Sequence, residues 1–366
     1  MVTTARPPAP LTRHLGPNWY AAVMGTAILA TAGNSLPAPF TPPRPLLDAA
    51  WALSALALLV LLAARALHWR HHRDQARAHL LDASVAPFYG CFAMGVLAVG
   101  GATMAAGKDV VGEPAALAVA WVLWTAGTAL SLLAALVVPY LMVVRHRIDG
   151  VGSATPVWLL PVVAPMVAAA LGPQLIPHLP EGQARTAMLL GCYAMFGLSL
   201  LATLLLLPLV FARLLTHGPL PLALTPTLFL VLGPLGQSTT AVNQLADVAP
   251  GAIGPAYAHG FQAFAVVYGV PVLGFALLWL ALAVSLVVRA ARAGMPFAMT
   301  WWGFTFPVGT CVTGAAGLAR HTGLDALGWL AAALFALLAL AWAVTAFRTV
   351  RGLLSGVLLA APRPAA

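Results

Sequence analysis

The sequence predicts an all-α polytopic membrane protein, with ten transmembrane helices arranged as five pseudo-symmetric helical hairpins around a central pore. Three observations lead there. Of 366 residues, 61% are hydrophobic and 7% charged, with mean hydropathy +0.92. A soluble domain carries roughly 25% charged residues, so a soluble reading leaves its surface greasy. The apolar residues fall into ten runs of about the 20 residues that a bilayer core demands of a helix. The runs also repeat: five long ones end in arginine, and shorter ones begin near Asn18, Val85, Pro156, Pro221 and Pro296. That is an internal repeat of about 70 residues, visible in punctuation rather than in letter identity.

The runs justify themselves in order. The first, 18–36, sets Thr26, Thr31, Asn34 and Ser35 in apolar sequence. The second, 46–68, ends at Arg70; the third, 85–107, opens beside Pro87; the fourth, 115–143, ends at Arg145. The fifth, 156–173, is the shortest and holds Pro156, Pro161, Pro165 and Pro173. The sixth, 185–215, contains Arg213, and the eighth, 261–290, contains Arg289. The seventh, 221–248, carries Thr225, Thr227, Gln237, Ser238, Thr239, Thr240, Asn243 and Gln244. The ninth, 296–317, carries Thr300, Thr305, Thr310 and Thr313, and the tenth, 324–350, contains Arg348. The chain thus divides into an N-terminal tail (1–17), a transmembrane domain (18–350) and a C-terminal tail (351–366). The proline-rich tails are too short for signalling domains, and no cleavable leader is evident at the start.

Net charge +9 does not point to nucleic acid, because the charges are sorted by side. Ten alternating spans put 14 of the 18 basic residues on one face and only Arg44, Lys108, Arg185 and Arg320 on the other. By the positive-inside rule both termini are cytoplasmic, and the membrane expected is the cell's inner, cytoplasmic one. Lipid headgroups are natural partners for these arginines.

Odd and even runs differ in kind. The odd ones carry 24 glycines and prolines, the even ones 9, although the even ones are longer. Glycine admits close backbone approach, and proline removes an N–H; in lipid such defects are tolerable only where protein or pore water satisfies the freed groups. The odd runs are therefore expected inside and the even ones outside, facing lipid. Close packing through small residues with no pore is the competing arrangement. The polar residues of the odd runs are neutral except Asp247 at the end of the seventh. An ionised residue at mid-membrane costs at least ~2.5–3.5 kcal/mol and marks proton relays and cation sites. Hydroxyls and amides solvate an anion weakly, as conduction requires, so an anion is favoured as passenger. In "GPLGQS", Gly233, Pro234 and Gly236 break a helix where Gln237 and Ser238 can face the axis; a kink satisfied by neighbouring helices explains the stretch equally well.

Four stretches, "GPNWYAAVMGTAILA" (16–30), "PVWLLPVVAP" (156–165), "PTLFLVLGPLGQS" (226–238) and "WWGFTFPVGT" (301–310), together resemble the tellurite-resistance and dicarboxylate transporter family. It includes plant slow-type anion channels, fungal malate permeases and sulfite exporters. The resemblance covers essentially the whole chain and implies ten helices in five hairpins, a ring of odd helices around a pore, and a homotrimer. It implies that a phenylalanine beside the kink of the ninth helix plugs the pore. The matching residue is Phe306, next to Pro307, with Phe304 the aromatic alternative. A ring across a narrow pore makes a constriction that dewets, and a proline kink leaves it room to swing. Met24, Gly25 and Thr26 are pore-facing by the same resemblance, and Thr310 joins the pore-lining candidates. The expected passengers are small inorganic or dicarboxylate anions: malate, sulfite, tellurite, chloride or nitrate. The rival is a proton-coupled dicarboxylate or sulfite carrier, for which only Asp82, Asp247 and His259 at the mouths offer titratable groups.

An enzyme is not expected, because no acid–base or nucleophile constellation lies in the runs. Neither a cofactor nor a metal is expected. His68 and His72 stand four apart, as metal ligands can, but among arginines and with no cysteine near. Cys91, Cys192 and Cys311 lie within runs and read as small buried hydrophobes.

Overall fold

The computed structural model describes residues 13–356 and 358, so most of the two expected tails lies outside the described residues. All regular structure among the described residues is helical. The α-helices are α1 (Tyr20–Ser35), α2 (Arg44–His71), α3 (Arg73–Leu81), α4 (Tyr89–Ala102), α5 (Lys108–Val111), α6 (Glu113–Val144), α7 (Leu159–Leu171), α8 (Gln183–His217), α9 (Leu232–Val248), α10 (Pro255–Arg292), α11 (Phe306–Thr322) and α12 (Asp325–Leu354).

By length and composition, seven helical stretches can cross a membrane: Arg44–His71, Ala86–Val111, Glu113–Val144, Pro156–His178, Gln183–His217, Pro255–Arg292 and Asp325–Leu354. They fall into two classes. In Ala86–Val111 and Pro156–His178, 72% and 89% of the most apolar stretch is buried, against 22 to 28% in the other five. α1, α9 and α11, at 16, 17 and 17 residues, are shorter than a span and belong with the buried class. The exposed helices present leucine outward: Leu59, Leu136, Leu205, Leu278 and Leu340 are each 64 to 75% exposed. Surface of that kind is stable only against an apolar medium.

The buried helices pack in sequence, α1 on α4, α4 on α7, α7 on α9, α9 on α11, and α11 back on α1, which closes a ring. The exposed helices back it: α2 on α1, α6 on α4 and α7, α8 on α7, α10 on α9, and α12 on α11. Glycine sets the closest approach. A Cβ on Gly236 of α9 would sit 2.5 Å from the backbone nitrogen of Cys311 in α11, so no larger residue fits there.

Among the described membrane-spanning helices, the π-turn and the long 3-10 stretches belong to the buried class. Residues 103–107 form a π-turn whose Ala105 and Ala106 carbonyls accept from the Arg44 guanidinium at 3.0 and 3.1 Å. A 3-10 stretch, Leu222–Val231, leads into α9 and contains Pro226. Such long 3-10 runs are rare and need outside partners. Here Thr300 donates to Ala223 O (2.6 Å) and the Trp279 indole to Leu228 O (3.0 Å). A second 3-10 stretch, Met299–Phe304, ends in a break at Thr305 (φ −98°, ψ −79°). That break comes two residues before Pro307, which lacks the N–H to continue the stretch, and it makes Phe306 the first residue of α11. The ninth run is therefore two segments rather than one kinked helix. The fifth run extends beyond 173 as a 3-10 turn to His178, and the histidine-rich loop folds as α3.

Candidate functional site

A cavity of about 590 Å³ opens within the ring. α1 contributes Ile28, Thr31, Asn34 and Ser35; α9 contributes Gln237, Thr240 and Gln244; α11 contributes Phe306, Thr313 and Arg320. A small void of about 10 Å³ lies among Met24, Met94, Leu159, Leu160, Val163, Leu230, Gly233 and Pro307. Phe306 borders both spaces and is 3% exposed. Its ring stands where the two approach each other, held by its place at the first turn of α11 immediately after the Thr305 break. The void is lined by apolar side chains and by Gly233, whose missing Cβ would meet nothing within 4 Å. Among the described residues, no acidic one lines either space.

The sequence-derived candidates distribute unevenly over this site. Phe306, Pro307, Met24 and Gly233 border the void, and Gln237 faces the large cavity. Gly25 packs against Thr305 and Trp302. Thr26 turns outward: its hydroxyl donates to Ala22 O at 2.8 Å and accepts from the Trp342 indole at 3.0 Å. Pro234 and Ser238 line an apolar groove between α8, α9 and α10. Thr310 is fully buried between α9 and α11, donating to Pro307 O at 2.7 Å. Phe304 borders neither space; its ring packs edge-on against Phe229 and Trp301.

The sequence placed Thr240, Gln244 and Thr313 among the polar residues of the inner runs without marking them as pore-lining, named Lys108 and Arg320 only for their side of the membrane, and passed over Gln174 and Met104. A signal existed on α9, where Gln237, Thr240 and Gln244 recur at helical spacing and so share a face. None existed for Lys108, because the π-turn before it shifts the helical register.

Charge separates along the ring axis. At the end shared by Arg44, Lys108 and Arg320, Arg44 pairs with Asp48 (3.3 Å) and Asp109, while Asp247 takes Arg320 (3.1 Å) and His321 (3.0 Å). At the opposite end Arg65, 7% exposed, donates to Leu15 O (2.9 Å) and to the Tyr89 hydroxyl. Arg348 there lies over the Trp301 ring, 4.7 Å from its centroid.

Residues 14–350 match the family described as voltage-dependent anion channel, SLAC1, so the match takes in every helix of the ring and its backing layer. The chain belongs to the SLAC1 family. An uncharacterized transporter of Methanocaldococcus jannaschii is 27% identical over 350 residues, covering 94% of this chain and 95% of the relative. A second uncharacterized transporter of that organism is 26% identical over 346 residues, 93% of this chain and 95% of its own length. A sulfite efflux pump of Trichophyton rubrum is 29% identical over 303 residues, 81% of this chain and 80% of the pump. As a SLAC1-family chain this is a multi-pass membrane protein of an anion-transport family.

Proposed function

We propose that this chain conducts small anions through the axis of its buried helical ring, and that Phe306 is the gate. In this reading α1, α2, α4, α6, α7, α8, α9, α10, α11 and α12 each cross the bilayer, as five hairpins, with the arginine-rich end in the cytoplasm. Met24, Gly233, Gln237 and Pro307 line the path beside the gate. The observation that carries the reading is the position of Phe306, the residue shared by a wide polar cavity and a narrow apolar void. An aromatic ring at an apolar constriction excludes water, and an ion that cannot keep its hydration does not pass. Displacing the ring joins the two spaces, and the Thr305 break just before it supplies a pivot.

Passive conduction is favoured over proton coupling because, among the described residues, no titratable carboxylate or histidine lines either space, and a relay needs one on the path. Sulfite is the first passenger to try, since fungal relatives carry the name sulfite efflux pump. Malate, chloride and nitrate are the comparison set. A homotrimer follows from the family resemblance alone and is assayed by the mass of the solubilised particle.

The test is anion flux into proteoliposomes for wild type and Phe306→Ala, with and without a pH gradient. The gate reading expects the variant to raise flux about tenfold or more, as removal of a hydrophobic plug should, independent of the gradient. Flux that is unchanged in the variant and follows the pH gradient overturns it in favour of a coupled carrier.

A further inference from the structure

A groove outside the ring, between two exposed helices, holds a buried charge. It has a volume of about 460 Å³ and opens between α2, which backs α1, and α6, which backs α4. Leu62 and Ala66 of α2 and Leu133 and Val137 of α6 line it, together with Phe92 of α4. Ala66, Leu133 and Val137 are exposed, so the groove faces the apolar medium rather than the ring axis. At the arginine-rich end it is bordered by Arg65, Trp69 and Tyr89.

Arg65 is the unusual member of this lining, because it is 7% exposed. Its guanidinium donates to Leu15 O at 2.9 Å and to the Tyr89 hydroxyl, which engages two of its five N–H groups. It lies 5.3 Å from the Tyr89 ring centroid and 5.9 Å from that of Trp69. All of these partners are neutral. Among the described residues, no carboxylate pairs with Arg65 and none lines the groove. The acids of the adjoining segment are engaged elsewhere, Asp74 by Arg13 (3.1 Å) and Asp82 by the Ser84 amide and hydroxyl (2.8 and 2.7 Å).

A buried charge in a lipid-facing wall is costly unless an anion meets it, and its depth selects the kind of anion. At 28 residues α2 is about 42 Å long, matching a bilayer with its headgroups. Arg65 stands six residues before the end of α2 at His71, hence about 9 Å inside, where headgroup phosphates meet hydrocarbon. Tryptophan and tyrosine, its two ring neighbours, are the side chains that settle at that level. A second apolar groove, of about 310 Å³ between α8, α9 and α10, supplies the contrast: its lining carries hydroxyls but no charge.

We propose that the groove between α2 and α6 binds an acidic phospholipid, its phosphate on Arg65 and Tyr89 and an acyl chain along Leu62, Ala66, Leu133 and Val137. A guanidinium takes a phosphate through two parallel N–H···O bonds. A headgroup of net negative charge is preferred to a zwitterionic one, because the groove has no carboxylate to hold an ammonium. The lipid bridges α2 to α6 and braces the ring from outside. Tyr20 of α1 lines the same groove, packing on Phe92 with ring centroids 4.7 Å apart and donating to Leu61 O at 3.1 Å. The site is separate from the anion path and does not depend on Phe306 being the gate.

The experiment is native mass spectrometry of the solubilised full chain, titrated with phosphatidylglycerol and with phosphatidylcholine of the same acyl chains. Wild type is expected to hold the acidic lipid about fivefold more tightly, the scale of one arginine at an anionic lipid surface. Arg65→Gln is expected to hold the two lipids alike. Ala66→Trp, at an exposed position, fills the groove and is expected to lose retention of both lipids; it decides the matter if the Arg65 variant does not fold. Leu204→Trp, on the lining of the second groove, is expected to keep the wild-type preference. The assignment is overturned if wild type holds the two lipids equally, or if Arg65→Gln or Ala66→Trp retains phosphatidylglycerol at wild-type strength. It is also overturned if inorganic phosphate displaces the lipid at equal concentration, since the acyl chain would then contribute nothing.

Discussion

Phe304 and Phe306 are two residues apart, both aromatic, and nearly interchangeable by composition. The break at Thr305 separates them. Phe304 closes a 3-10 stretch with its ring 4.9 Å from that of Phe229, while Phe306 opens α11 against both cavities. Phe304→Ala should therefore leave anion flux near the wild-type level under conditions where Phe306→Ala raises it. The paired flux assay checks this, and equal effects from the two substitutions would remove the special role of Phe306. Direction is what composition fails to specify. Thr26, Ser238 and Gln237 all read as polar residues on inner runs, yet only Gln237 turns to the large cavity. Each hydroxyl can instead satisfy itself on a carbonyl three or four residues back, as those of Thr26 and Ser238 do. Gln237 makes no such bond and lines the cavity instead.

At the scale of elements, the contact between α9 and α11 depends on glycine. A Cβ on Gly236 would lie 2.6 Å from Thr310 C and 2.5 Å from Cys311 N, both backbone atoms that cannot swing aside. Gly236→Ala is expected to destabilise by about 1–3 kcal/mol, the usual cost of overpacking. Gly233→Ala, facing open space, should be tolerated. Thermal melting in detergent distinguishes the pair. The small helix α3 docks through a different device. His79 is 8% exposed and stacks on His68 of α2, ring centroids 5.4 Å apart. Burial, with Arg65 and His68 adding repulsion and Asp82 opposing them, pushes its pKa from 6.5 down to about 4. An undocked His79 takes a proton near pH 6.5 and a docked one does not, so docking is favoured above that pH and weakens as pH falls toward 4. Hydrogen exchange across residues 73–81, corrected for intrinsic rates, should show faster opening at pH 5 than at pH 7.5. His79→Gln should flatten that dependence. The sequence showed the histidines as a cluster but not the stack, which needs α3 to fold back on α2.

For the whole molecule, the ten-crossing reading proposed above makes a topological prediction. Cysteines at Ala78 and His217, exposed positions in arginine-side segments, should react with a membrane-impermeant maleimide from one side, and a cysteine at Glu181 from the other. The native thiols Cys91, Cys192 and Cys311 are buried and should contribute little background. Reaction of all three introduced positions from one face would refute the ten-crossing reading. The amino-acid sequence by itself determined the medium and the two classes of helix. These depend on composition and on distance along the chain, because a bilayer selects for length and apolarity residue by residue. Only the tertiary structure decided where the ninth run breaks and which ring stands between two cavities. Those outcomes depend on rotation about helix axes, and one π-turn or one 3-10 stretch changes that rotation for every residue beyond it.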